Sequence, residues 1–197
     1  VGDVLTCSAT GTDQDDGSLN PTYTWSTGTT GDTYTIDASE VSVGDVITCT
    51  ATITDSVGDS ATSTDSVLVE NTAPSLSTVT INPNTAVYND DSVTCSATAT
   101  DPDETVTVSY AWTQNGNTLS TGDTVDLSSY TISPLDVIAC EASVADSNSG
   151  TDSDSSSVTV DNRTPTISLT SPTSGDVVAE GDTASFSATI SDPEDAS

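Results

Sequence analysis

Apolar and polar residues alternate along this chain in short runs. Val93-Thr94-Cys95-Ser96-Ala97-Thr98-Ala99 is one, and Asp, Gly, Asn and Pro bound it and the others. A period of two puts one set of side chains on each face of an extended segment, so the pattern predicts β-strands with one buried face. Thr and Ser fill the outward positions, and Thr suits a pleated, half-buried surface. Over the stretch 75–160 the pattern predicts seven strands, near 75–83, 92–100, 105–114, 117–120, 122–127, 137–145 and 150–160.

The pattern also recurs. Cys7 and Cys95 lie 88 residues apart, Trp25 and Trp112 lie 87 apart, and Cys49 and Cys140 lie 91 apart. The surrounding words match: Leu5-Thr6-Cys7-Ser8-Ala9-Thr10 against Val93-Thr94-Cys95-Ser96-Ala97-Thr98, and Asp45-Val46-Ile47-Thr48-Cys49 against Asp136-Val137-Ile138-Ala139-Cys140. A third copy begins at Ala184-Ser185-Phe186-Ser187-Ala188-Thr189, with Phe186 in the cysteine's place. Self-similarity at a fixed period is the signature of a repeat array. The middle copy has a leading run, Leu76 to Ile81, before its cysteine strand. The first copy starts at its cysteine strand, and the third has only a leading run, Thr166 to Thr170, and the strand after it. The expected domains are therefore 1–69, a repeat lacking its first strand; 70–160, a complete repeat; and 161–197, the start of a third. The chain is expected to be cut from a longer array.

Cys strand, Trp strand and Cys strand follow one another in each copy, at this length and spacing. That order resembles an immunoglobulin-like sandwich, in which two inter-sheet cysteines pack against a buried Trp. The words Tyr23-Thr24-Trp25 and Tyr110-Ala111-Trp112 are similar to those of prokaryotic PKD-type surface repeats. The chain as a whole resembles the tandem Ig-like repeats of bacterial and archaeal surface or fibre proteins. The expected fold class is all-β: tandem immunoglobulin-like β-sandwich repeats of about 90 residues. One departure is that Ile47 and Ile138 stand two residues before the second Cys, where true immunoglobulin domains carry a corner tyrosine. Four cysteines allow three pairings, and only Cys7–Cys49 with Cys95–Cys140 respects the repeat. Disulfides imply an oxidising, extracellular or cell-surface setting. Zinc and redox chemistry are set aside, because the chain has no Cys-x-x-Cys pair and no His.

Charge changes the picture. The chain has 31 acidic residues and one basic residue, Arg163, for a formal charge of -30. Nucleic acid and anionic lipid need surface Lys and Arg, so neither is an expected partner. Low hydrophobicity with high charge is also the composition of disordered chains, but here the apolar residues are ordered into strand patterns. Uncompensated acidic charge opposes compaction by self-repulsion, so metal or high external salt is expected to offset it. No run approaches the ~20 apolar residues of a membrane span. No leader is present, which for an extracellular protein implies that the natural N-terminus lies elsewhere.

The acidic residues keep register. Asp13-Gln14-Asp15-Asp16, Asp101-Pro102-Asp103-Glu104 and Asp192-Pro193-Glu194-Asp195 each follow the first Cys-type strand, while Asp55 and Asp146 follow the second. Between copies lie Glu70-Asn71 and Asp161-Asn162. In a sandwich the two loops and the linker share the end where the chain enters. Glu70 and Asn71 are thus expected beside Asp101, Asp103, Glu104 and Asp146, and Asp161 and Asn162 beside Asp192, Glu194 and Asp195. Carboxylates gathered without Lys or Arg repel one another. Calcium, which takes about six to eight oxygen ligands, resolves that conflict. The acidic-Asn-…-Pro linker word is similar to the calcium linkers of cadherins, without their double Asp-Asn. The competing reading is that Asp and Asn simply build turns through their local hydrogen bonds.

Asn162-Arg163-Thr164 is a glycosylation sequon in an expected linker, and the Ser/Thr-rich surface is open to O-glycans. Paired carboxylates also serve glycosidases. These pairs recur in every copy with no aromatic platform for a sugar, and without His, a Ser-His-Asp set or a phosphate loop an enzyme is not expected. The expected role is the structural segment of a stalk, fibre or adhesin shaft, with calcium stiffening the junctions between neighbouring repeats. A ligand-binding or spacer module is the alternative, with Tyr88 and Tyr130 the aromatics to watch. The open edge of the first copy also invites self-association by strand addition, for example by Thr166–Thr170 of another chain.

Overall fold

The computed structural model describes residues 1–194, which form β-strands and a single one-turn 3-10 helix, Leu127–Ser129. Among the described residues no helix is long and apolar enough to cross a membrane. The fold is all-β, as the alternation requires. Contacts divide the chain into two compact units. One takes Val1–Ser75 with the segments Thr100–Val106 and Ala145–Asp152; the other takes Leu76–Ala99, Thr107–Val144 and Ser153 onward.

The first unit holds β1 (Val4–Thr6), β2 (Gly11–Asp13), β3 (Gly17–Leu19), β4 (Thr22–Trp25), β5 (Thr33–Thr35), β6 (Val46–Thr54) and β7 (Ser60–Leu68). β1 pairs with β5, β2 with β3, and β4-β6-β7 form an antiparallel sheet. β6 shows why the alternation works: Ile47, Cys49 and Ala51 point inward and are buried, while the threonines between them are not. The core gathers Trp25, Tyr34, Ile36, Val41, Ile47, Cys49 and Val69, with Leu5, Cys7 and Tyr23 packed at its margin. The Cys7–Cys49 disulfide ties the segment after β1 to β6.

The next strands are β8 (Ser75–Leu76), β9 (Thr80–Asn82), β10 (Ser92–Ser96), β11 (Ala99–Thr100), β12 (Ser109–Gln114), β13 (Asn117–Thr121), β14 (Thr124–Asp126), β15 (Val137–Ala145) and β16 (Thr151–Thr159). One sheet has the order β14-β10-β9 and another the order β13-β12-β15-β16; β8 pairs with β11. Cys95 on β10 and Cys140 on β15 form a disulfide that joins the two larger sheets. Trp112, Leu127, Ile138, Cys140 and Val160 are fully buried around it.

This core is tighter than the first. Ile81 on β9 lies opposite Cys95, and Val79, just before β9, joins the same core. In the first unit β1 has β5 alone as a neighbour, and a cleft of about 260 Å³ opens beside Leu5, Cys7, Trp25, Ile47 and Cys49.

Two expected strands prove to be two short strands each. The run expected over 75–83 is β8 and β9, and that over 92–100 is β10 and β11. The cause is a change of pairing partner: β10 pairs with β9, and β11 with β8. The Tyr-x-Trp word secures the break. Tyr110 Oη accepts the Ala97 N–H and donates to the Ala97 carbonyl, both at 3.1 Å, and Tyr23 Oη does the same at Ala9, at 3.0 and 3.5 Å. Each Trp indole N–H donates to a glycine carbonyl, Gly31 at 3.0 Å and Gly122 at 2.9 Å. The run expected from 105 begins as a strand only at Ser109.

Farther along, β17 (Thr166–Ser171) and β18 (Ser187–Ser191) pair antiparallel. Ile167, Leu169 and Ile190 on them stay exposed, as does Phe186, at 73%, in the register of the cysteines.

Replacing Cys95 and Cys140 together by Ala should lower stability by about 4 kcal/mol, because their pairing closes a long loop in the unfolded chain. Urea unfolding followed by tryptophan fluorescence measures it. An unchanged midpoint would mean that packing around Trp112 holds the sheets together without the covalent tie.

Candidate metal centre

Each predicted ligand loop begins with a carboxylate that closes its own turn. Asp13 Oδ1 accepts the N–H groups of Asp15 (2.8 Å) and Asp16 (3.0 Å), Asp101 Oδ1 accepts those of Asp103 (2.7 Å) and Glu104 (3.3 Å), and Asp192 Oδ1 accepts that of Glu194 (3.1 Å). In the second set, Asp55 Oδ1 takes the N–H groups of Val57, Gly58 and Asp59, and Asp146 Oδ1 those of Asn148 and Gly150. These are Asx turns, so the first acid of every word does the local work the turn reading assigns it. Such donors favour the charged form. The Asp16 and Asp15 N–H groups hold the Asp13 carboxyl below its usual value.

The acids that follow reach across loops. Asp16 Oδ2 accepts the Ser56 N–H at 2.9 Å, and Glu104 Oε1 accepts the N–H of Ser147, the equivalent residue of the next copy. In the Glu70–Pro74 linker, Asn71 Nδ2 donates to Asp146 Oδ2 at 2.8 Å, and the Thr72 N–H donates to Asp103 Oδ2 at 2.6 Å. The Asp103 side chain is 7% exposed, and its Oδ1 lies 3.6 Å from the Val1 amino group. The Asn71 amide, ahead of the Gly150 and Asn148 N–H groups, pulls the Asp146 carboxyl below its usual value. Asn71 thus reaches Asp146, the Thr72 amide reaches Asp103, and Glu104 reaches the Asp146 loop, all within the first unit. Glu70 is exposed, and no hydrogen bond or ion pair of its side chain joins it to the group. Asp15 is likewise exposed.

Three buried side-chain oxygens without a hydrogen-bond partner occur among the described residues: Asn71 Oδ1, Asp101 Oδ2 and Glu194 Oε2. All three belong to predicted ligands. A buried acceptor with nothing to accept is costly. Asn71 Oδ1 and Asp101 Oδ2 are a neutral and an anionic oxygen, the donor types calcium takes. Among the described residues no three Asp or Glu side chains converge closely enough to form a metal site by themselves. A cation here would complete its shell from the Asn71 amide, backbone carbonyls and water.

Gly150 went unnoticed in the sequence. A Cβ there would overlap the Asp146 carboxylate and lie 3.0 Å from Ala73 Cα. The residue 91 positions earlier is Asp59, so the change to Gly was the available sign that the linker covers this loop.

The later cluster is arranged differently. Asp161 and Asn162 are exposed, and Asn162 Nδ2 turns to the Arg163 carbonyl at 2.8 Å rather than to another loop. Arg163 instead reaches Glu194 Oε1 at 2.8 Å and also pairs with Asp90. That bond draws the Asp90 carboxyl below its usual value. Its guanidinium carbon lies 4.0 Å from the Tyr88 ring centroid, so one of the two watched aromatics is engaged, while Tyr130 is 39% exposed. Asp195 lies outside the described residues.

The sequence reading also missed Asp136. Its Oδ2 accepts the Ser133 N–H (2.8 Å) and the Gln114 amide (2.7 Å), and its Oδ1 accepts the Asn115 amide (2.7 Å). The Ser133 N–H, then the Asn115 amide, hold its carboxyl below the usual range.

No family model matches the chain. No curated protein matches it either. Among solved structures it matches a Ca2+-stabilized adhesin that helps an Antarctic bacterium reach out and bind ice, at 21% identity and a TM-score of 0.33. The match covers 80% of this chain and 45% of that one, so this chain corresponds to less than half the adhesin's length. The two superpose too loosely for the likeness to bear on fold or function.

Asp136→Asn should cost about 1–3 kcal/mol at pH 7, because an amide cannot replace a carboxylate that accepts three donors. A depressed carboxyl contributes its stability above its unfolded value near 4, and that contribution fades as pH falls through the lower folded value. Wild type and variant should therefore converge as the pH drops below about 4. Paired thermal melts from pH 7 to pH 2.5 test this. A gap that stays constant would mean that the Asp136 charge is irrelevant to its role.

Proposed function

We propose that this chain is a structural segment of an extracellular stalk, fibre or adhesin shaft, made of tandem immunoglobulin-like β-sandwich repeats and stiffened by calcium at the linkers. The observation that carries this reading is the pair of unpartnered buried oxygens, Asn71 Oδ1 and Asp101 Oδ2, on the linker and on the loop it meets. Asn71 Oδ1 and Asp101 Oδ2 would hold the ion, with backbone carbonyls and water completing its shell. The ion would supply positive charge where the chain has no Lys or Arg, and it would tie a linker to two loops that otherwise repel one another.

Other features support the setting. Two disulfides suit an oxidising compartment. A surface with one Arg and no Lys offers trypsin-like proteases almost nothing to cut, which suits an exposed fibre. The reading includes no catalysis: the chain has no His, and its carboxylates are engaged as turn caps and loop ties. Its partners would be neighbouring repeats of a longer chain.

Calcium at about ten times its dissociation constant should stabilise the protein by ~1.4 kcal/mol. Thermal melting with small-angle scattering, against EDTA and against NaCl of equal ionic strength, reads both the stabilisation and any stiffening. Asp101→Asn and Asn71→Ala should each blunt the response. If NaCl reproduces the full effect, or nothing changes up to several millimolar calcium, the loops are solvated turns and the stiffening role fails.

A further inference from the structure

We propose that Arg163 is a built-in cation that holds the acidic loop of the third copy in place without metal. This rests on the calcium reading of the preceding linker only for its contrast. The register carries the comparison. Arg163 stands 91 residues after Thr72, and Glu194 stands 91 after Asp103. In the earlier linker the Thr72 N–H meets Asp103 Oδ2; in the later one the Arg163 side chain meets Glu194 Oε1. The same pair of positions is joined twice, once by a backbone amide and once by a full positive charge.

The geometry fixes the guanidinium from three sides. Nη1 donates to Glu194, Nη2 donates to Asp90, and the flat face covers the Tyr88 ring at 4.0 Å. Glu194 is the telling partner. Its side chain is 0% exposed, whereas that of Asp90 is 60% exposed. A covered carboxylate needs a countercharge, while an exposed pair contributes little. Arg163 is the one basic residue in the chain, and a guanidinium keeps its charge at every pH the fold survives. Lys would give up both the two-pronged hydrogen bonding and the stacking on Tyr88. Asp90, Tyr88, Arg163, Glu194, β17 and β18 all belong to the second compact unit, so the clamp fastens β17 and β18 within that unit.

Hydrogen exchange read by mass spectrometry tests the clamp on the whole chain. In wild type, exchange over 166–191 should be the same in EDTA and in millimolar calcium. Arg163→Thr, which installs the residue of the earlier linker, should speed exchange there by about tenfold in EDTA. Arg163→Lys should fall between the two. The proposal is overturned if Arg163→Thr exchanges like wild type in EDTA, or if calcium slows exchange over 166–191 in wild type. The second outcome would mean that metal sits on the free Glu194 Oε2 beside the arginine. Exchange over 100–106 and 145–152, read in the same spectra, reports the calcium reading separately. If those loops ignore calcium, that reading fails while the effect of Arg163→Thr in EDTA still decides the clamp.

Discussion

A carboxylate brought into a folded loop needs positive charge or hydrogen-bond donors, and this chain sets one arginine against 31 acids. The fold depends on how that shortage is met. The answer in nearly every loop is the backbone N–H. Asp13, Asp55, Asp101, Asp146 and Asp192 each collect the amides of the residues that follow them. The carboxylate thereby becomes the part that shapes the turn. Self-repulsion is tolerated because the charges are spread over separate turns, and no acidic residue is buried as a whole among the described residues.

The cores answer a different need and use none of that charge. In each of the two cores a disulfide, a Trp and the alternating aliphatics of the adjoining strands fill the interior. Tyr and Trp in the Tyr-x-Trp word share a strand face, so one fills the core and the other closes its rim. The difference between the cores follows from one strand. Where β9 lies against β10, the cysteine is 1% exposed; where β1 has no such neighbour, Leu5 and Cys7 stay half-covered beside a cleft. Hydrophobic burial here is limited by strand supply, not by residue choice, since Leu5-Thr6-Cys7 and Val93-Thr94-Cys95 are nearly the same word.

Period-two alternation and the spacing of Cys and Trp made the strands and the disulfide partners legible, because both depend on local pattern and repeat register. The same register pointed to the linker lying beside these loops, where Asn71 bonds Asp146 and the Thr72 amide bonds Asp103. The sheet switch at Ala97 was not legible, because it depends on a hydroxyl from Tyr110 thirteen residues away. Nor was the network around Asp136: the Asn115-Gly116 turn fixes the hairpin locally, but that its Gln114 and Asn115 meet the distant Asp136 depends on tertiary packing. Arg163 was visible as the only cation, yet its register with Thr72 gave its place and not its partners. Asp90 comes from the Asn89-Asp90-Asp91 loop, which is not among the acidic words that recur in register.

Backbone amides satisfy only part of a carboxylate. Each has two oxygens and about four lone-pair positions, and the turn N–H groups gather on one of them. What happens at the other oxygen separates a turn cap from a site. Asp146 Oδ2 is taken by the Asn71 amide while its Oδ1 caps the turn, so this carboxylate also ties two segments together. Asp101 Oδ2 is covered and has no donor, because the Asp103 and Glu104 amides both lie on Oδ1. A backbone that curls around one oxygen cannot also reach its twin, so a carboxylate that caps a covered turn keeps one oxygen for something the chain does not supply. Asp and Asn are thus good turn formers and good cation ligands for one geometric reason, and burial of the second oxygen, more than the number of acids, marks where the two roles meet.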